Sequence, residues 1–140
     1  MRVLLLLVAV MLAAGAAIAD EASENFVAGL RAYEGGNYEV AVDALERAIE
    51  LEPGCARCAH VLGRSYGRMA ERASGLSALG FARKTRDALE LAVELAPNDA
   101  DAIKDLIKYY RAAPGFLGGS DEKANILERR LRETRAGQTG

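Results

Sequence analysis

The segment Ala48-Ile49-Glu50-Leu51-Glu52-Pro53 returns as Ala92-Val93-Glu94-Leu95-Ala96-Pro97, with 44 residues from one proline to the next. Proline lacks a backbone donor and its ring clashes with the preceding turn, so it ends a helix. Each copy therefore reads as a helix terminus, and the recurrence marks an internally repeated unit. A single unit of this kind cannot bury its own apolar face. The copies must stack.

The apolar residues around these copies follow a helical period. Phe26, Leu30 and Tyr33 stop at Gly35-Gly36-Asn37, a turn signal. Tyr38, Ala41, Leu45, Ala48 and Ile49 form a second stripe that ends at Pro53-Gly54. Helices joined by so short a turn run antiparallel. Val61, Leu62 and Tyr66 continue the pattern, and Leu89, Ala92, Val93 and Leu95 follow before Pro97-Asn98-Asp99. Ile103, Leu106, Ile107 and Tyr110 come next, and a last helix carries Ile126, Leu127 and Leu131. There is no run of alternating β-branched residues. The expected class is all-α, with about three antiparallel helical hairpins stacked as a short right-handed solenoid.

Gly29, Ala41, Ala48 and Pro53, together with Leu62-Gly63-x-x-Tyr66, resemble the punctuating positions of the tetratricopeptide repeat family. The resemblance covers about 110 residues and both copies of the terminal motif. Small residues belong where two helices of a hairpin approach closely. The 44-residue spacing exceeds the family's period of about 34, so the middle repeat carries an insertion around Glu71–Arg83. The third repeat has a longer turn, Pro114–Ser120. The run from Leu62-Gly63 through Ala113-Pro114-Gly115 to Gly118-Gly119-Ser120 is similar to a group of small exported bacterial tetratricopeptide proteins. That likeness implies a fold and an address and names no activity.

Residues 1–19 contain 17 apolar side chains and one charge, Arg2. A basic start, an apolar run of about twelve residues and Ala17-x-Ala19 make the layout of a secretory signal peptide. The run breaks into Gly and Ala before the roughly 20 residues a membrane span needs. The expected division is a signal peptide at 1–19, cleaved after Ala19, and a repeat domain at 20–140. The mature chain is expected to be periplasmic or secreted and to have no membrane span. The net charge of −2 over 140 residues argues against a dedicated nucleic-acid binder, which carries a basic excess.

Cys55-Ala-Arg-Cys58-Ala-His60 is the most chemical feature of the chain. Covalent haem attachment needs the histidine directly after the second cysteine, and Ala59 rotates His60 about 100° around a helix. Zinc needs four ligands, and no second pair is present. A thioredoxin-like redox pair sits in a βαβ context, which a helical chain lacks. Residues three apart on a helix have Cα atoms about 5 Å apart, within disulfide range, so Cys55 and Cys58 read as a local disulfide or as two quiet thiols. No cofactor and no metal are expected. His60 is the one histidine, without an acid or nucleophile at a recognisable spacing. No metalloprotease, phosphate-loop or nucleophile-elbow motif occurs, and the chain does not read as an enzyme. Gly118-Gly119-Ser120 precedes Asp121-Glu122, acids that satisfy the helix dipole and repel an anion, so Ser120 reads as an N-cap.

The resemblance implies that the first helix of each hairpin lines a concave surface where ligands lie. Arg57, His60, Arg64, Arg68, Lys104, Lys108 and Arg111 stand on two of those helices, in stripes of helical spacing. Glu39, Asp43, Glu46 and Glu50, then Asp87, Glu90 and Glu94, stand on the second helices. The curve is expected to be basic inside and acidic outside, although such stripes also serve simply as solvated faces. Phe26, Leu30 and Val61 replace the polar residues of the family's carboxylate-clamp variety, so that clamp is not carried over. The expected function is non-enzymatic binding of a protein or peptide segment, acidic where it meets the cations, with Phe26 and Tyr33 as apolar anchors. A self-assembling scaffold built through stacked terminal repeats and a thiol redox protein using Cys55 and Cys58 remain alternatives.

Overall fold

The computed structural model describes the backbone of residues 2–138, and the side chains of residue 11 and of residues 14–137. Six α-helices and one 3-10 turn make up the described chain, with no strand. They are α1 (Arg2–Glu34), α2 (Tyr38–Leu51), α3 (Ala56–Arg72), α4 (Gly75–Leu95), α5 (Ala100–Ala112) and α6 (Asp121–Gln138), with the turn Gly115–Leu117 before α6. Sequential helices pack against each other as hairpins α1/α2, α3/α4 and α5/α6, and the hairpins stack in chain order. The expected all-α hairpin architecture is what the chain adopts.

The two copies of the terminal motif fold alike. Glu52 ends α2 at φ −134° and ψ 83°, and Ala96 ends α4 at φ −130° and ψ 78°. Each donates its N–H to the alanine four residues back, Ala48 or Ala92. Three residues after each helix end stands an N-cap, Cys55 for α3 and Asp99 for α5. At the first turn the chain leaves α1 through Gly36, whose φ of +77° suits glycine. Gly36 donates to Tyr33 and Asn37 to Ala32, the paired bonds of a Schellman stop.

Two glycines set how closely the first two hairpins close. A Cβ on Gly29 would lie 2.6 Å from Leu45 Cγ, and one on Gly63 would lie 2.8 Å from Leu89 Cγ. Each leucine thus fills the space that a glycine on the facing helix leaves. Around Leu45 gather Ala41, Val42, Ala48, Cys58, Val61, Leu62 and Tyr66, and around Leu89 gather Ala92, Val93, Ala102, Ile103, Leu106 and Tyr110. Burying each large aliphatic side chain stabilises the fold by about 1.5–3 kcal/mol.

The added residues expected around Glu71–Arg83 are taken up as helix. They extend α3 to 17 residues and α4 to 21, against 14 for α2 and 13 for α5, and the chain reverses at Ser74-Gly75, where Gly75 has φ +59°. The first helix runs unbroken from Arg2 to Glu34. Met1 and the side chains of residues 2–10, 12 and 13, which belong to the expected leader, lie outside the described residues, as do residues 139 and 140. Residues 14–21 are all exposed, and among the described side chains Ala22 is the first buried one of α1. Among the described residues no helix is long and apolar enough to cross a membrane.

Candidate functional site

A groove of about 720 Å³ opens between α3 and α5, with the end of α1 on one side and Pro114–Leu117 on the other. Its floor exists because α3 presents glycine to α4 twice, one turn apart. Gly63 admits Leu89, and a Cβ on Gly67 would meet Thr85 at 3.6 Å. Tyr33, Tyr38, Tyr109 and Leu117 supply apolar wall, and Arg64, Arg68 and Lys108 supply positive charge. Tyr109 is held in place by a hydrogen bond from its hydroxyl to the Leu117 carbonyl at 2.8 Å.

The expected cations fall into two groups. Arg64, Arg68 and Lys108 line the groove, whereas Arg57, His60, Lys104 and Arg111 do not. Arg111 turns to α6, where it meets Asn125 at 3.0 Å, Glu128 at 2.9 Å and Asp121 at 3.6 Å. Lys104 pairs with Asp101 on its own helix at 3.0 Å. The acids of α6 and of the α5 first turn offer these two cations a nearer charge than the groove does.

The groove is also not uniformly basic. Glu34, Glu71 and Asp105 line it beside the three cations. Asp105 is the central one. It accepts from His60 Nε2 at 2.7 Å and lies 3.8 Å from Arg64 Nε. Arg68 pairs with Glu71 at 2.7 Å. Lys108 has no ion pair among the described residues. Sequence spacing carried the signal for Asp105, because it follows Asp101 by four and precedes Lys108 by three, on the same helical face. The expected basic face counted only the cations of that stripe.

Asp105 is held below the usual carboxylate range by the His60 hydrogen bond first. Burial opposes this, and the charges of His60, Arg64 and Lys108 assist it. A carboxylate with a lowered native pKa contributes stability above its unfolded pKa and loses it as pH falls through the native value. Thermal midpoints of the parent and of Asp105→Asn should therefore differ at neutral pH and converge as pH falls below 3.8. A gap that persists unchanged into acid would show that the carboxylate charge is not what Asp105 contributes.

Arginines of α3 lie over aromatic rings of the first hairpin. Arg57 stands 4.8 Å from the Phe26 ring centre and Arg64 4.8 Å from that of Tyr33, while Arg72 and Arg68 stand 4.4 Å and 5.9 Å from Tyr38. Of the two expected anchors, Tyr33 lines the groove and Phe26 does not. Each carries a guanidinium group over its ring, an attraction between cation and ring quadrupole. Phe26 to Tyr33 and Arg57 to Arg64 are both steps of seven residues, two helical turns, so the ladder was readable as matched spacing.

On the other side of the hairpins one arrangement occurs twice. The Tyr66 hydroxyl donates to Glu46 and the Tyr110 hydroxyl donates to Glu90 at 2.6 Å, each across 20 residues. Lys84 covers the Tyr66 ring at 5.0 Å and Lys123 covers Tyr110 at 5.2 Å. Burial first, then the glutamate hydrogen bond, pushes both phenols well above their ordinary pKa. Glu46 and Glu90, expected as charges of the outer face, also join consecutive hairpins.

Cys55 and Cys58 form a disulfide with Cα atoms 5.3 Å apart. Among the described residues no group of three or more His, Cys, Asp or Glu is placed to hold a metal ion. Ser120 Oγ accepts from the Lys123 N–H at 3.2 Å, the capping contact its position suggests. No family model matches the chain, and no curated protein is significantly similar to it.

Proposed function

We propose that the chain is an exported, non-enzymatic binding module of tetratricopeptide-like design that seats a segment of a protein partner in the groove between α3 and α5. The groove itself carries this reading: about 720 Å³ of space with apolar walls and charged rims, formed between helices. Sites of that size accept several side chains of an extended or helical segment. Its chemistry asks for apolar or aromatic groups against Tyr33, Tyr109 and Leu117 and an acidic group opposite Lys108. Mixed charge on the rim selects register more than it adds affinity. Export rests on the apolar leader and the Ala17-x-Ala19 site.

Capture of partners from a periplasmic extract, with residues 20–140 as bait, tests the reading. Arg64→Glu with Lys108→Glu should abolish capture and leave helicity unchanged, since exposed charges contribute little to stability. Raising salt should weaken capture by the parent. Glu39→Lys with Glu94→Lys is the control, because both acids are exposed and neither lines the groove. Glu46 and Glu90 are unsuitable, being tied to Tyr66 and Tyr110. Equal loss from both pairs would place binding elsewhere, and unchanged capture in the groove variant would return the cations to a solvated face.

A further inference from the structure

The Cys55–Cys58 disulfide occupies a helix start whose counterpart in the next repeat is an anionic cap. Asp99 accepts from the N–H groups of Asp101 and Ala102 at 3.0 and 3.2 Å and caps α5. Cys55 stands at the equivalent position, three residues after the turn of α2, and its Sγ accepts from the Cys58 N–H at 3.2 Å. In the disulfide that sulfur is neutral and a poor acceptor. Reduced to a thiolate, it carries the charge that Asp99 carries. The first turn of α3 has no acidic residue to satisfy its dipole, so a negative sulfur there is stabilised by free N–H groups. The charged residues nearest to Cys55 in sequence are Glu52 in the turn and Arg57 on α3, whose guanidinium lies over the Phe26 ring.

The two sulfurs differ in access. Cys58 is buried, 1% exposed, within the core beneath α3, while Cys55 is only half-buried at its edge. The geometry points to a thiol–disulfide exchange centre at Cys55 and Cys58 that accepts an electron pair from a partner dithiol. A partner thiolate attacks the more accessible Cys55 Sγ, the Cys55–Cys58 bond breaks, and Cys58 leaves with the electron pair and takes a proton from water. The partner's second thiolate then attacks its own sulfur in the mixed disulfide and expels Cys55 as the capping thiolate. The partner is oxidised to a disulfide, and this chain is reduced by two electrons. The groove takes no part, so this chemistry stands or falls separately from peptide binding.

A bridge that merely braces the fold is harder to reduce in the native chain than in the unfolded one, whereas a bridge whose reduced form is stabilised is easier to reduce. The residues 20–140 chain, equilibrated with reduced and oxidised glutathione and alkylated, should be reduced at least tenfold more readily in buffer than in concentrated urea. The single thiol of Cys58→Ser should ionise, by thiolate absorbance at 240 nm, at least one pH unit below the ordinary value of about 8.5, and should trap a mixed disulfide with glutathione. Cys55→Asp should match the reduced parent in urea stability while Cys55→Ala falls below both. A native bridge harder to reduce than the unfolded one, or a Cys58→Ser thiol that ionises at or above the ordinary value, would overturn the proposal and leave a brace.

Discussion

Leu45→Ala is expected to destabilise the domain by about 2–5 kcal/mol, and Gly29→Ala by about 1–3 kcal/mol, yet the double variant should cost less than their sum. Leu45 is fully buried, and deleting its branch leaves a hole in the first core cluster. A methyl on Gly29 would enter the space of Leu45 Cγ and Cδ2, at 2.6 and 2.9 Å. Removing those two carbons gives the new methyl room, and the methyl fills part of the hole. The remaining close neighbour is the Ala41 carbonyl oxygen at 3.3 Å, so refilling is partial. A favourable coupling of about 1 kcal/mol or more, read from urea unfolding of the four chains, is the expected result. Additivity within about 0.5 kcal/mol would show that Gly29 and Leu45 do not share one volume.

The same pair of positions shows why the hairpins were legible in the sequence. Gly29, Ala41 and Ala48 are small where helices meet, and Pro53, Pro97 and Gly35-Gly36 act within a turn of where they stand. Local rules suffice for such features. The added length of the middle hairpin was readable from the proline spacing, but its shape was not. Glu71 and Arg72 suit a helix, and the reversal needs just Ser74-Gly75, so the extra residues continue two helices instead of bulging.

The site was less legible because its charges are settled between helices distant in sequence. Arg64 and Lys108 reach the groove as their helical stripes imply, but Arg111 is drawn to Glu128 and Asp121 on α6. Nothing in the spacing of α5 says that α6 brings carboxylates to that side. The Glu46–Tyr66 and Glu90–Tyr110 bonds have the same character, since each links the second helix of one hairpin to the first of the next. Asp105 is different. Its spacing placed it on the cationic face, and its partner His60, 45 residues away, became evident when α3 and α5 were seen side by side.

Gly119→Ala is expected to cost about 3 kcal/mol or more and to abolish partner capture while α1–α4 stay folded. A Cβ on Gly119 would overlap the Ala113 carbonyl, oxygen and carbon alike. Backbone cannot swing aside as the end of a flexible side chain can, so the loop itself has to move. That loop is tied on both sides. Ser120 N–H donates to the Tyr110 carbonyl at 2.8 Å, and Gly119 N–H to that of Pro114 at 3.2 Å. The Leu117 carbonyl accepts from the Tyr109 hydroxyl at 2.8 Å and from Arg86 at 3.3 Å. Displacing it exposes the buried Leu117 side chain and frees Tyr109, which removes one apolar wall of the groove. Gly115→Ala is the matched control, because a Cβ there meets nothing within 4 Å, and it should change stability by no more than about 0.5 kcal/mol. Near-ultraviolet circular dichroism of the tyrosines and capture of the same partner read the two effects separately. If Gly119→Ala proved as stable and as competent as Gly115→Ala, the Pro114–Ser120 turn would not be what closes the groove.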